Sequence, residues 1–223
     1  MTAPIVDRLT IAEIREYRDA RVAKIKNRET PKPLDNNNEL PKIIFHLVPI
    51  KAFAPSMIFD LSRLHKNLHS IKPIYSSVWN GQYNSEGFLT YGHSITNTQG
   101  FVGSYVQVFH NGIVEAVDLR LLIDGYLKGP LFKQGLVEAL FRFLSCLQKL
   151  GVEPPLFGML SMVKVKGLQL VTDQGSMETR KIENEDLLLP EVQIDDFSRA
   201  PGDALQPIFN MVWNAFGLPD SSF

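Results

Sequence analysis

The chain has 223 residues, of which 44% are hydrophobic and 21% are charged. These proportions are those of a folded globular protein, and they exclude a disordered, collagen-like or coiled-coil chain. Lysine plus arginine number 23 and aspartate plus glutamate number 24, so the net charge of -1 gives no overall attraction to nucleic acid or to an anionic membrane. Any binding of that kind would depend on a local patch.

Cysteine usage and the N-terminus point to the cytoplasm. Cys146 is the only cysteine, so neither an intramolecular disulfide nor a thiolate metal site can form. It lies in the apolar segment 136–150, where core packing is favoured over reactive-thiol chemistry. Residues 1–9 lack the charged and apolar regions of a signal peptide, and no apolar stretch approaches the length of a membrane span. We expect a cytoplasmic protein that does not bind membranes.

The N-terminal unit, residues 1–30, is predicted to contain a helix over residues 10–28, because Ile11, Ile14 and Val22 fall on one helical face. Its other face mixes both signs of charge, and residues 11–33 contain seven basic and four acidic side chains. A solvated face is the first interpretation of this pattern. Direct contact with nucleic-acid phosphates is the alternative. The residues that would make that contact are Arg15, Arg18, Arg21 and Lys24.

A core domain is predicted over residues 41–172. The apolar run 42–49 indicates a strand covered on both faces, in which His46 would be a hydrogen-bonded core residue. Leucines spaced three and four apart predict a short amphipathic helix over residues 61–71, which Asp60 could cap. Further strands are predicted over residues 87–93, 101–110, 113–120 and 157–172.

A β-hairpin is predicted at Asn111 and Gly112, which separate two strand-like runs and suit a two-residue type I′ turn. On one face of the hairpin, this loop length implies the pairs His110 with Ile113, Val108 with Glu115, Val106 with Val117 and Ser104 with Leu119. On the other face, Tyr105 would lie against Asp118 as a structural cross-strand pair.

Two helices are predicted on either side of an acidic segment. Residues 131–150 are apolar around most of a helix, Phe141 included, and should form the central helix on one sheet face. Residues 173–203 carry nine acidic and three basic side chains and are interpreted as an acidic linker or arm, with an edge strand within 187–194. Residues 204–223 predict an amphipathic helix whose apolar face must dock on its own chain or on a protein partner. That face consists of Leu205, Ile208, Phe209, Val212, Trp213 and Phe216.

These patterns together predict an α+β fold. A mainly antiparallel sheet would pack against the central helix, with the N-terminal and C-terminal helices flanking it.

The sequence contains no recognisable catalytic motif. It lacks a phosphate-binding loop, a dinucleotide fingerprint and a nucleophile elbow, so no cofactor is expected and catalytic residues remain unknown. His65 and His69 have the i, i+4 spacing of metal ligands, but no third ligand is evident and we predict a solvated face without metal. If the chain is an enzyme, its site would lie at the sheet rim and use His93, His110 or Glu115.

Five segments, in this order, resemble the region downstream of the Schlafen/AlbA-type domain in bacterial proteins often labelled ATP-binding or divergent AAA proteins. Together they span about residues 8 to 170. They are 14–25 (IREYRDARVAKI), 41–50 (PKIIFHLVPI), 83–91 (YNSEGFLTY), 104–117 (SYVQVFHNGIVEAV) and 150–156 (LGVEPPL).

The resemblance implies an accessory module rather than the nucleic-acid-binding unit itself. In that family the unit lies before the matching region, and the first helix here begins so close to Met1 that we expect no such unit in this chain. The favoured function is therefore a non-enzymatic accessory or interaction module associated with a bacterial AlbA-like system, with nucleic acid bound only indirectly. An enzyme of unrecognised type and a weak nucleic-acid binder are the alternatives.

Overall fold

The computed structural model describes residues 8–35, 39–55, 57–172 and 180–221. Three α-helices lie in these ranges: α1 (Arg8–Lys26), α2 (Gly129–Lys149) and α3 (Pro201–Ala215). The strands of the same ranges are β1 (Lys42–Pro49), β2 (Trp79–Asn84), β3 (Gly87–Gly92), β4 (Ser104–Phe109), β5 (Val114–Asp118), β6 (Tyr126–Lys128), β7 (Leu156–Val163), β8 (Gln169–Val171), β9 (Asp186–Leu188) and β10 (Val192–Ile194).

One antiparallel sheet of eight strands forms the centre of the fold. Its order is β10-β7-β1-β5-β4-β3-β2, and β9 pairs with β7 next to β10. Strands β6 and β8 form a separate parallel pair. The α+β class with a mainly antiparallel sheet is therefore confirmed.

The two faces of the sheet bury different helices. Side chains alternate along a strand, so Phe45 of β1 packs in the cluster that contains α2 and α3, whereas its neighbour Ile44 packs with Val22 and Ile25 of α1. Both faces of β1 are buried, as its almost continuous apolar run predicts. The polar residue in that run, His46, points to the α1 side.

The hairpin between β4 and β5 forms, but its predicted register is wrong by one residue. Tyr105 pairs with Val117 and Val108 with Val114, because the loop has three residues rather than two. The Phe109 amide donates to the Ile113 carbonyl, and Gly112 adopts a φ of 84°. A left-handed glycine at the end of a three-residue loop is a common hairpin closure. The predicted pair of Tyr105 with Asp118 is consequently wrong, since those side chains lie on opposite faces.

The predicted helix over residues 61–71 is also wrong. Two short 3₁₀ turns, Leu64–Lys66 and Leu68–Ile71, replace it, separated by Asn67 with φ -138° and ψ 55°. This non-helical residue interrupts the i to i−4 hydrogen bonding that an α-helix needs. The apolar spacing still marks buried positions, because Leu61, Leu64 and Ile71 all enter the core.

The acidic segment and the C-terminal helix are parts of the folded body where they are described. Residues 173–179 lie outside the described ranges, but β9 and β10 extend the sheet and Ile182 is buried. All six apolar residues of the α3 stripe lie in the core beside α2, with the rings of Phe132 and Phe209 5.7 Å apart. Phe141 of α2, expected in the core, is instead 65% exposed.

Candidate functional site

A cluster of polar side chains lies beneath α1, in the middle of the sheet. Glu115 of β5 stands beside His46 of β1 and Gln107 of β4, in one row across three strands. From α1, Arg21 reaches this carboxylate with two hydrogen bonds, Nε to Oε2 at 2.8 Å and Nη2 to Oε1 at 2.9 Å. Tyr105 donates its hydroxyl to Oε1 at 2.9 Å, and His46 Nε2 lies 3.1 Å from Oε2. The Glu115 carboxylate is therefore surrounded by donors.

The electrostatics of this cluster are those of a buried structural ion pair. Burial opposes the ionisation of Glu115, but hydrogen bonds from Arg21 and His46 outweigh it and lower the pKa to about 2. Burial also raises the pKa of Tyr105 well above its ordinary value. Glu115, His46 and Tyr105 have no solvent exposure. A substrate in solution has no access to them, so the cluster attaches α1 to the sheet.

Three other basic residues of α1 contact the acidic segment. Arg15 Nη2 lies 2.7 Å from Glu191 Oε1, and Lys26 Nζ lies 2.5 Å from Asp186 Oδ2. Arg18 donates to the carbonyl of Leu189 at 2.8 Å. The local positive charge of the first helix and the negative charge of residues 180–203 therefore meet inside one molecule.

These contacts bear on the predicted nucleic-acid residues. Arg15, Arg18 and Arg21 each have an intramolecular partner for the guanidinium group, and only Lys24 of the four is both exposed and outside the ion pairs of the described chain. Arg18 and Arg21 are buried, so phosphate contact by them would require those contacts to break, whereas the exposed Arg15 would have to share its guanidinium group with Glu191. Phosphate contact remains a prediction, without support from the geometry.

The three residues proposed for a site at the sheet rim, His93, His110 and Glu115, do not lie near one another. Glu115 is buried at the centre of the sheet rather than at its rim. His93 follows the end of β3 and His110 follows the end of β4, and because these strands are antiparallel the two histidines lie at opposite ends of the sheet. Among the described residues, no group of three or more His, Cys, Asp or Glu could hold a metal ion.

The two histidines of residues 61–71, His65 and His69, make different contacts and do not face a common site. His65 Nδ1 lies 2.7 Å from the carbonyl oxygen of Ser62 and 3.1 Å from the Tyr83 hydroxyl. The ring of His69 instead packs against Trp79, with centroids 5.9 Å apart. Since no α-helix places them on one face, their i, i+4 spacing does not create a site.

A cleft of about 600 Å³ opens on the α2 side, at the end of the sheet where β5 stops. Its walls are residues 72–77, the turn 120–123 and the first half of α2. Asp118 holds the turn, because its Oδ1 accepts the amides of Arg120 at 2.8 Å and Leu121 at 3.0 Å. Burial raises the pKa of Asp118 to about 7.

The outer edge of β2 is the second feature open to solvent. Its six residues, WNGQYN, contain no charge and no proline. On one side β2 pairs with β3, and no backbone hydrogen bond to another described segment involves residues 79–84 on the other side. The opposite edge of the sheet differs, because β9 and β10 have three residues each, are separated by Pro190 and are held by α1.

Neither of these two open features is predicted by the sequence patterns. The sequence patterns do not predict β2, because Gly81 and three amide side chains lower its β-propensity, although Asn84 and Gly87 have the residue types typical of the first and fourth positions of a β-turn. The cleft gathers Lys72, Arg120 and Lys128 from three separate segments, and no local pattern connects them.

Comparison with known proteins finds no relative: no protein-family model, no curated protein and no solved structure matches the chain. The resemblance to the region downstream of the Schlafen/AlbA-type domain therefore stays a prediction. No described helix has both the length and the apolar character needed to cross a membrane.

Proposed function

We propose that this chain is a non-enzymatic interaction module that binds an extended segment of a partner protein along β2. The observation that carries this proposal is the unprotected edge. Natural sheets blunt their edges with charges, prolines, bulges or very short strands, since an open row of N–H and C=O groups pairs readily with another chain. Strand β2 has six residues and lacks both charge and proline, whereas the opposite edge is short and interrupted.

The side chains along this edge suit recognition of a peptide. Peptides that add a strand to a sheet gain affinity from backbone hydrogen bonds and specificity from side chains beside the edge. Tyr83 is 51% exposed and Val78, directly before β2, is 57% exposed. Val78 before the strand and Tyr83 within it present apolar surface that a partner's side chains can cover.

The distribution of titratable groups favours binding over catalysis. Glu115 and His46 are buried in the cluster that attaches α1 to the sheet. His93 and His110 lie at opposite ends of the sheet. A catalytic site needs a reacting group within reach of substrate and of its acid or base partner. The named candidates do not meet that condition in the described residues.

The partner proposed here is a component of a bacterial AlbA-like nucleic-acid-binding system. Support for this part comes only from the five ordered segments that resemble such proteins. In this scheme nucleic acid associates with the partner, and the present chain contacts it indirectly.

Site-specific photocrosslinking in the native cells tests the proposal. A benzophenone amino acid would be placed at Asn80, which is exposed on β2, and in a second variant at Gln148, which is exposed on α2 far along the chain. We expect a discrete protein adduct from position 80 only. A lysine on an edge strand opposes pairing, so Gln82→Lys should remove the adduct, whereas Gln148→Lys, which adds the same charge elsewhere, should leave it.

Three results would contradict the proposal. An adduct no stronger at position 80 than at position 148 would show that the edge is unoccupied, and an adduct that survives Gln82→Lys would show that edge pairing is not involved. An adduct between two copies of this chain would replace the partner protein by a homodimer. Mass spectrometry of the crosslinked peptide separates these cases.

A further inference from the structure

The cleft beside the first half of α2 is open to solvent, and hydrogen bonds hold its walls. The Asp118 carboxylate fixes one wall through the amides of Arg120 and Leu121. The other wall is tied to α2, because Arg142 Nη2 donates to the carbonyl of Lys72 at 3.3 Å. At about 600 Å³ the cleft has the size of small-molecule sites, which span roughly 300–1,000 Å³.

The charges that line the cleft are predominantly positive. Lys72, Arg120 and Lys128 contribute three cations, and Glu138 is the single carboxylate of the lining. Glu138 already lies 4.0 Å from Arg142. None of the three cations forms an ion pair with a carboxylate of the described chain, in contrast to the cations of α1. The lining therefore carries an excess of positive charge, which the buried Asp118 beside Arg120 offsets only in part.

The three cations reach the cleft in different ways. Arg120 is partly buried and donates one Nη2 hydrogen to the carbonyl of His93, which fixes the position of the guanidinium group and leaves other donors. Lys72 belongs to the lining, and its ammonium group lies over the ring of Trp79, 5.1 Å from the ring centroid. Lys128 is exposed at the start of α2. A guanidinium group with free donors is a strong binder of carboxylate and phosphate.

The remaining lining is apolar. Ile74 and Leu121 are buried in the floor, and Ile123 is 38% exposed at the surface of the cleft. Leu131 of α2 faces the same space. A bare inorganic ion would leave these side chains in water, whereas an anion that carries an aromatic or aliphatic group would cover them.

We propose that this cleft binds a small organic anion, in which a carboxylate or phosphate contacts Arg120, Lys72 and Lys128 and an apolar group packs on Ile74, Leu121 and Leu131. No residue of β2 lines this cleft, although Lys72 contacts Trp79 of that strand, and binding in the cleft does not require the proposed protein partner.

Titration of the whole chain with simple probes, followed by NMR or calorimetry, tests the site. The probes are phenyl phosphate and benzoate, which carry the two candidate anions, benzyl alcohol as the neutral analogue, and inorganic phosphate as the anion without an apolar group. We expect phenyl phosphate or benzoate to bind with a dissociation constant on the order of 1 mM or tighter, with amide shifts at residues 72–77 and 120–123. Which of the two binds more tightly identifies the preferred anion.

A matched pair of variants locates the binding. Lys72→Gln with Lys128→Gln should weaken the preferred probe at least about tenfold, because both removed charges lie in the lining. Lys24→Gln with Lys166→Gln removes the same net charge from exposed positions elsewhere and should change affinity less than about twofold. Arg120 is left intact in both because its contact with His93 is also structural.

Several outcomes would overturn the proposal. They are an absence of binding by both organic anions, equal binding of benzyl alcohol, or unchanged affinity in the cleft variant. Inorganic phosphate that binds as tightly as phenyl phosphate would show that the apolar walls contribute nothing. Because Asn80 crosslinking reports the β2 edge alone, failure here leaves the proposed function standing, and the reverse also holds.

Discussion

Arg21 and Glu115 are separated by 94 positions in the chain and form a bidentate ion pair that is almost wholly buried. The pair joins the first helix to the central strands, and Phe109 adds a cation–π contact with its ring centroid 5.0 Å from the guanidinium carbon. A buried ion pair contributes little more to stability than well-packed apolar residues in its place would. Removal of only one partner is strongly destabilising, because the other charge stays buried. The attachment of α1 therefore depends on both side chains being present.

Replacement of Glu115 by glutamine should destabilise the protein by about 3 kcal/mol, because it leaves the buried Arg21 charge with only the half-exposed Glu86 carboxylate, 3.8 Å from Nη1. Urea denaturation of Glu115→Gln measures this loss. Arg15→Gln provides the control, since it removes a partner from the solvent-exposed pair with Glu191 and should lower stability far less. Equal effects of the two substitutions would show that burial of the Glu115 pair has no energetic consequence.

The same carboxylate predicts an acid limb in the stability profile. The folded-state pKa of Glu115 is about 2, below its ordinary value of 4.5, so its ionised form stabilises the fold above pH 4.5. That contribution should decrease progressively as pH falls from about 4.5 to 2. Denaturation midpoints of the wild type across this window should therefore decline, and Glu115→Gln should show a shallower decline. An equal decline of the denaturation midpoint in the wild type and in Glu115→Gln would show that other groups cause the loss of stability at low pH.

Asp118 predicts the opposite pH dependence. Burial raises its folded-state pKa to about 7, so the folded state keeps a proton that the unfolded chain loses above pH 3.8, and stability should decrease as pH rises from about 4 to 7. Asp118→Asn keeps an oxygen for the Arg120 and Leu121 amides and cannot ionise. We expect it to be more stable than the wild type at pH 8, by up to roughly 4 kcal/mol, and equal near pH 4. A variant less stable at pH 8 would contradict this.

The contrast between β1 and Glu115 shows what local patterns could and could not predict. The apolar run of β1 and the stripe of α3 predicted buried elements, since periodicity reports how many faces of an element are covered. Local patterns do not predict that Glu115 is buried at the sheet centre, because its partner Arg21 lies on a distant helix and only the tertiary structure brings the two together. An ionised glutamate can be buried in a strand only when a partner such as Arg21 compensates its charge.

The register of the β4–β5 hairpin depends on a single loop residue. The type I′ loop assumed at Asn111 and Gly112 shifted every β4–β5 pair, because side-chain direction alternates with each residue. Asn111-Gly112 is compatible with loops of two or three residues, and local sequence does not distinguish them. The helix predicted over 61–71 failed similarly, since its apolar spacing is satisfied by two 3₁₀ turns around Asn67.

The intramolecular contacts of α1 predict weak or absent nucleic-acid binding by this chain. Arg15, Arg18 and Arg21 are engaged by groups of the same molecule, so few cations remain to release counterions from a phosphate backbone. Fluorescence anisotropy with labelled duplex DNA and single-stranded RNA at about 50 mM salt should show no saturable binding. Saturable, salt-sensitive binding that Lys24→Gln leaves intact and Arg15→Gln removes would establish the direct contact instead.

The last prediction concerns Trp213, which is 1% exposed in α3. Its ring lies 6.3 Å from that of Phe132, and a Cβ at Gly129 would approach Trp213 to 2.9 Å, so the indole fills the space between α3 and the start of α2. Trp213→Glu would bury a charge in that space and should destabilise the folded monomer by at least about 3 kcal/mol. Thermal melts and light scattering together decide its role. A lower melting temperature with unchanged mass is expected from own-chain docking, whereas unchanged melting with loss of an oligomer would mean that the α3 stripe serves a partner chain.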